Sequence, residues 1–287
     1  MMLEEGLDTV TLEKLKLTDA KEPNLDRWNQ FLDRHKNPKS EVQIGLIGKY
    51  VELQDSYKSI LESFIHAGAQ NEVKVKVISI HSEHLTVDNV PEQLEGLHGI
   101  LVAPGFGERG IEGKIKAVQY AREQKIPFLG ICLGMQMAVI EYARNVLGLT
   151  QANSLEMDPK TPDPVIHLME GQKKVTRKGG TMRLGAWSCD LKPGSLAHKI
   201  YGVSQITERH RHRFEFNNKY LADIQSHGMI ASGTNTENNL VEVVEVPEHP
   251  WFIGVQYHPE YKSTVANPHP LFVAFVQAAL VHKKQSK

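Results

Sequence analysis

Residues 130–137 read GICLGMQM and set Cys132, one of two cysteines in the 287-residue chain, between two glycines. A short apolar run, IPFLGIC (126–132), leads into this stretch, and LGMQMAVIEYARNVLG (133–148) leads out of it with the pattern of a helix. Gly130 and Gly134, two positions before and two after the cysteine, give the layout of a nucleophile elbow. In such a turn the chain passes close to itself and a Cβ has no room at either glycine. A thiol at the start of the helix lies at the positive end of its dipole, which favours thiolate. The composition equally suits a small apolar residue closing a buried strand, because free cysteine is among the most buried residue types.

Outward from the elbow, the strand-like runs VQIGLIGKY (42–50), VKVKVISI (73–80) and GILVAPG (99–105) alternate with helical patterns at 56–69 and 111–124. That alternation predicts an α/β fold, a mainly parallel sheet with helices on both faces. Between about Thr150 and Val246 strand-like pieces alternate with loops such as DPKTPDP, RKGGTMRLG and GTNTENN, which predicts an antiparallel elaboration. A strong strand returns in WFIGVQYH (251–258), and HPLFVAFVQAALVHKK (269–284) reads as a closing helix with late lysines. Residues 1–40 are polar and end in KNPKSE, so they read as a linker segment appended to a compact domain over 41–287.

The chain carries 33 basic and 34 acidic residues, a net charge of -1, which gives no bulk attraction to nucleic acid or an anionic membrane. Two cysteines are too few for a disulfide-stapled secreted scaffold. The first 17 residues lack the layout of a secretion signal, and no apolar run approaches the roughly 18 residues of a membrane span. These features predict a cytoplasmic protein.

A thiolate nucleophile needs a base and a group to orient that base. His258 and Glu260 follow the strand at 251–258 and straddle Pro259, which holds the turn so that the carboxylate folds back toward the imidazole. Acyl transfer also needs donors for a developing oxyanion. The amide of Leu133 is one candidate and that of Gly105 another, whereas Pro104 has no N–H. Residues 105–110, GFGERG, also match the dinucleotide fingerprint G-x-G-x-x-G, but the strand after the next helix ends in the cysteine elbow instead of an acidic residue. RHRHR (209–213) has alternating histidines and arginines without paired cysteines or interleaved aromatics, which argues against both a zinc site and a nucleic-acid patch. Cys189, in WSCDL, has no glycine elbow and reads as a packing residue.

GICLGMQ followed by a later HPE resembles the class I glutamine amidotransferases, and GKY, GFGERG, ANSLE, GGTMRLG and ERHRHRFE narrow the resemblance to the amidotransferase domain of the CTP synthase family. It runs from about Glu41 to the last helix. The resemblance implies that Cys132 attacks the side-chain amide of L-glutamine, with His258 as acid and base, Glu260 as its orienting partner, and Gly105 and Leu133 as oxyanion donors. It implies further that Phe106 lies beside the substrate and that Gln136, Glu156 and Arg213 hold its amino acid end. RKGGTMRLG would be a lid at which GTP activates the reaction, through Thr181 and Arg183. No metal or other cofactor is implied for glutamine hydrolysis. ATP and magnesium belong with a synthetase domain that aminates UTP to CTP; this chain has no G-x-x-x-x-G-K-[ST] loop and reads as the ammonia-producing half of a homo-oligomeric enzyme. One departure stands out: the family shows Pro-Gly-Gly before the phenylalanine, and this chain has Ala103-Pro104-Gly105. A related cysteine hydrolase acting on γ-glutamyl compounds or peptides is the alternative enzyme, and a regulatory module that kept the fold without turnover is the non-enzymatic one.

Overall fold

The computed structural model describes residues 4–17, 19–21, 23–169 and 182–286. Its strands in chain order are β1 (Ser40–Gly48), β2 (Val73–His81), β3 (Gly99–Val102), β4 (Phe128–Ile131), β5 (Asn153–Ser154), β6 (Pro164–Leu168), β7 (Arg183–Leu191), β8 (Gln205–His212), β9 (Phe214–Phe216), β10 (Ile230–Asn235), β11 (Leu240–Glu245) and β12 (Phe252–Val255). The helices are α1 (Leu7–Leu15), α2 (Asp26–Lys36), α3 (Lys58–Gln70), α4 (Val90–Leu94), α5 (Ile111–Glu123), α6 (Leu133–Asn145), α7 (Leu196–Tyr201), α8 (Leu221–Ser226) and α9 (Pro270–Gln285).

Among the described residues one nine-stranded sheet has the order β2-β1-β3-β4-β12-β11-β10-β7-β8. Pairing is parallel from β2 to β12 and antiparallel from β12 to β8. The antiparallel region expected between Thr150 and Val246 therefore extends the main sheet, and only β5, β6 and β9 form a small sheet of their own. Strands β3, β4 and β12 are buried at every position, which is why they read as unbroken apolar runs.

Successive side chains on these strands enter opposite cores. Ile100, Val102 and Phe128 join residues of α5 and α6 on one face; Leu101, Leu129 and Ile131 join Phe64 of α3 and Phe272 and Phe275 of α9 on the other. Both faces are thus covered, and the open edge is the one where the parallel strands end. In doubly wound sheets that edge is where ligands bind. Ahead of β1, α1 has no buried residue, while α2 leans on α3 through Phe31, whose ring lies 6.2 Å from that of His66. No described helix is long and apolar enough to cross a membrane.

Candidate active site

The elbow is built by close backbone approach. Cys132 has φ 52° and ψ −102°, a conformation that side chains other than glycine rarely adopt and that costs about 1–3 kcal/mol. Its N–H donates to the Val255 carbonyl at 2.7 Å, which ties the turn to β12. A Cβ on Gly130 would lie 2.7 Å from the carbonyl carbon of Gly134, and one on Gly134 would lie 2.2 Å from the Val102 oxygen. Both glycines are therefore needed for α6 to start directly above β3 and β4.

Parallel pairing of β12 with β4, Val255 opposite Ile131, carries the chain after β12 to the same edge as the cysteine. His258 is pinned there by its backbone N–H, which donates to the Arg209 carbonyl of β8 at 2.8 Å. Pro259 begins a 3-10 turn, and that turn brings the Glu260 carboxylate within 2.7 Å of His258 Nδ1. Burial alone would lower the proton affinity of the ring, but the Cys132 thiol and the Glu260 carboxylate outweigh it and hold the imidazole well above its ordinary value. An imidazolium beside a sulfur stabilises thiolate, so the three groups are disposed for nucleophilic attack followed by proton delivery.

Facing them is the turn after β3. Gly105 and Phe106 donate no backbone hydrogen bond among the described residues, whereas the Gly107 amide donates to Glu156 Oε1 at 2.9 Å. Leu133 opens α6, so its amide has no acceptor within the helix. The Phe106 ring is partly exposed, and the Arg211 guanidinium stands 5.6 Å from its centre. Glu156 thus joins the glycine turn. Gln136, one helical turn after the cysteine, is buried and donates its side-chain amide to the Phe214 carbonyl at 3.0 Å and to Gln256 Oε1 at 3.1 Å. Arg213 sits between β8 and β9, and its carbonyl accepts from the Met169 N–H at 3.0 Å.

The Cys132 sulfur has two further neighbours that the sequence reading missed. Gln256 Nε2 points to it at 3.6 Å, and the Arg211 carbonyl lies 3.9 Å away. The sequence held a signal for Gln256, a polar residue in the apolar run WFIGVQYH, and the fold leaves it 1% exposed. None existed for Arg211, whose approach depends on β8 folding back from the far end of the sheet.

A family profile described as glutamine amidotransferase class-I matches residues 52–278. The chain belongs to the class-I glutamine amidotransferases. A structure of the Trypanosoma brucei CTPS glutaminase domain with bound acivicin is 37% identical, with a TM-score of 0.79, covering 84% of this chain and 94% of that one. The CTP synthase of Christiangramia forsetii is 68% identical across 100% of the chain, and that of Flavobacterium psychrophilum 69% identical across 99%. In each case the match covers 53% of the relative, so the chain spans about half the length of these CTP synthases. Within the family this amidotransferase domain is of the CTP synthase type.

The amidotransferase's RHRHR run alternates in and out of the sheet. Arg209 and Arg211 are exposed, while His210 and His212 are buried with Nδ1 of the first 3.1 Å from Nε2 of the second. His210, His212 and Glu242 could offer ligand atoms within 4.8 Å of one another. Arg183 already occupies that place: its Nη1 is 2.6 Å from Glu242 Oε1, and its guanidinium lies against the Trp187 ring. Burial pushes the Glu242 carboxyl up to about 7 against the pull of Arg183, and burial beside the same guanidinium drives His212 down to about 3. Arg183 is therefore a buried anchor where the chain re-enters the sheet, and Thr181 lies outside the described residues. Cys189 is fully buried and its thiol is pushed up by burial and by neighbouring carboxylates, Glu242 foremost.

Proposed function

We propose that this domain hydrolyses L-glutamine through a thioester on Cys132 and supplies the ammonia to a CTP synthase synthetase domain. The observation that carries the reading is the meeting, at one sheet edge, of a strained cysteine at a helix start with a buried, carboxylate-backed His258. The thiolate attacks the side-chain amide carbon, and the oxyanion that forms is received by the amides of Gly105 and Leu133. His258 Nε2 gives its proton to the departing nitrogen, which leaves as ammonia. Water then adds to the thioester after giving a proton to the same nitrogen, glutamate departs, and the proton returns to the sulfur–imidazole pair.

Glu156 would hold the α-ammonium and Arg213 the α-carboxylate, with Phe106 beside the substrate and Gln136 fixing the pocket floor from its buried position. On this reading the whole protein aminates UTP with ATP and magnesium bound on the synthetase domain, as a cytoplasmic homo-oligomer activated by GTP. Residues 1–40 would be the link between the two domains. Arg183, committed to Glu242, does not fit a phosphate contact.

The test is incubation with a glutamine-mimicking diazoketone followed by mass spectrometry of the wild type and Cys132→Ala. One adduct on Cys132, absent from the variant, is expected. A chain that resists the reagent but cleaves γ-glutamyl peptides sinks the proposal in favour of the related hydrolase. Ammonia release with and without GTP then measures how far the domain turns over.

A further inference from the structure

On α5 the positions Ile111, Lys114, Ile115 and Val118 recur at helical spacing on one face, and all four are buried in the same core region. A lysine in that row is anomalous, because a buried ammonium is costly unless something compensates it. Lys114 is 1% exposed, and among the described residues no carboxylate pairs with it. Its compensation is the site itself. Nζ donates to the Ala103 carbonyl at 2.8 Å, and a Cβ on Gly105 would lie 3.8 Å from that nitrogen. At the other end of the same turn, Lys49 at the close of β1 donates to the Phe106 carbonyl. Two ammonium groups thus clamp both ends of the segment Ala103-Pro104-Gly105-Phe106.

We propose that Lys114 is a positioning residue of the amidotransferase: it locks the turn carrying the Gly105 amide and sets a buried positive charge against that turn, on the side of the site that holds Cys132. This rests on the thioester reading above. It gives the unusual Ala103-Pro104 pair a physical context, since Pro104 contributes no amide and the turn must be held by its carbonyls instead. Negative charge develops on the sulfur and then on the substrate oxygen, and a fixed positive charge in a water-poor site favours both. The charged and titratable groups that act on Lys114 are Lys49 and Cys132. Burial, and after it the charge of Lys49, bring the ammonium down to about 7 against the opposing effect of Cys132.

Lys114→Met removes charge and donor while keeping volume; Lys114→Gln keeps a donor and removes the charge. Cys132 alkylation by iodoacetamide, followed by mass spectrometry near pH 6.5 and near pH 9, reads the thiolate without needing turnover. At the lower pH both variants should react about fivefold more slowly than wild type, and the gap should close at the higher pH, where Lys114 has lost its proton. Glutamine turnover should fall about tenfold at saturating substrate with KM within about twofold, more in Lys114→Met than in Lys114→Gln. Should the methionine variant fail to fold by circular dichroism, the glutamine variant alone decides. Alkylation at the wild-type rate near pH 6.5, or slowed by one constant factor at both pH values, overturns the assignment while leaving the thioester reading standing. A wild-type chain that takes no diazoketone label overturns both.

Discussion

The sulfur of Cys132, the imidazole of His258 and the carboxylate of Glu260 form a chain in which each group sets the charge of the next. Glu260 accepts from His258 Nδ1 at 2.7 Å and, with the thiol, keeps the ring protonated despite its burial. Glu260→Gln removes that charge and leaves the packing nearly intact, so diazoketone labelling of Cys132 should slow by about a hundredfold or more while the melting temperature shifts little. A labelling rate within a few-fold of wild type would show that the carboxylate is idle. For Lys114 the sign of the pH effect follows from a folded value of about 7 against 10.5 for the free side chain. The unfolded chain holds this proton more tightly, so the wild type carries the full cost below about pH 7 and none above about pH 10.5. The melting temperature of Lys114→Met relative to wild type should therefore be more favourable near pH 6.5 than near pH 10.

At the level of elements, the elbow is a contact between α6 and the ends of β3 and β4. Gly134 lets the first turn of α6 rest on the Val102 carbonyl, and an added methyl would meet that oxygen at 2.2 Å. Gly134→Ala should force the helix off the sheet, lowering stability by about 2–3 kcal/mol in chemical denaturation and abolishing diazoketone labelling. An unchanged denaturation midpoint would mean that α6 adjusts freely. These elements were legible because their periodicities differ: β3 and β4 are unbroken apolar runs, whereas α6 repeats at helical spacing. The face assignment of β8 was also legible in the alternation of RHRHR, although the sequence did not say what His210 and His212 would meet. Their surroundings come from Arg183 and Glu242 on two other strands.

For the molecule as a whole, the sheet order decides function. Parallel strands β1, β3, β4 and β12 deliver Lys49, the glycine turn, Cys132 and His258 to a single edge, although they are separated by up to 209 positions in the chain. The antiparallel half then returns β8 to the same place, where the Arg209 and Arg211 carbonyls face His258 and Cys132. Both cores lie downstream of Ser40, and α1 buries nothing. Removing residues 1–38 should therefore leave a cooperatively folding domain whose melting temperature falls by less than about 5 °C and whose Cys132 still labels. Loss of cooperative melting would instead make the segment around α2 part of the folding unit.

Local chemistry was enough to identify the α/β class, the elbow glycines, and the pairing of a histidine with a carboxylate across a proline, because each is a short-range property of residue size, hydropathy and backbone freedom. The sequence also held the anomaly of Lys114 on an apolar helix face, without the means to say what compensated it. Tertiary structure alone decided that Arg183 is spent on Glu242, that Gln256 and a β8 carbonyl flank the sulfur, and that two lysines grip one turn. Such contacts join strands far apart in the chain, and a charged or amide side chain can be satisfied by so many partners that only the fold selects which one it meets.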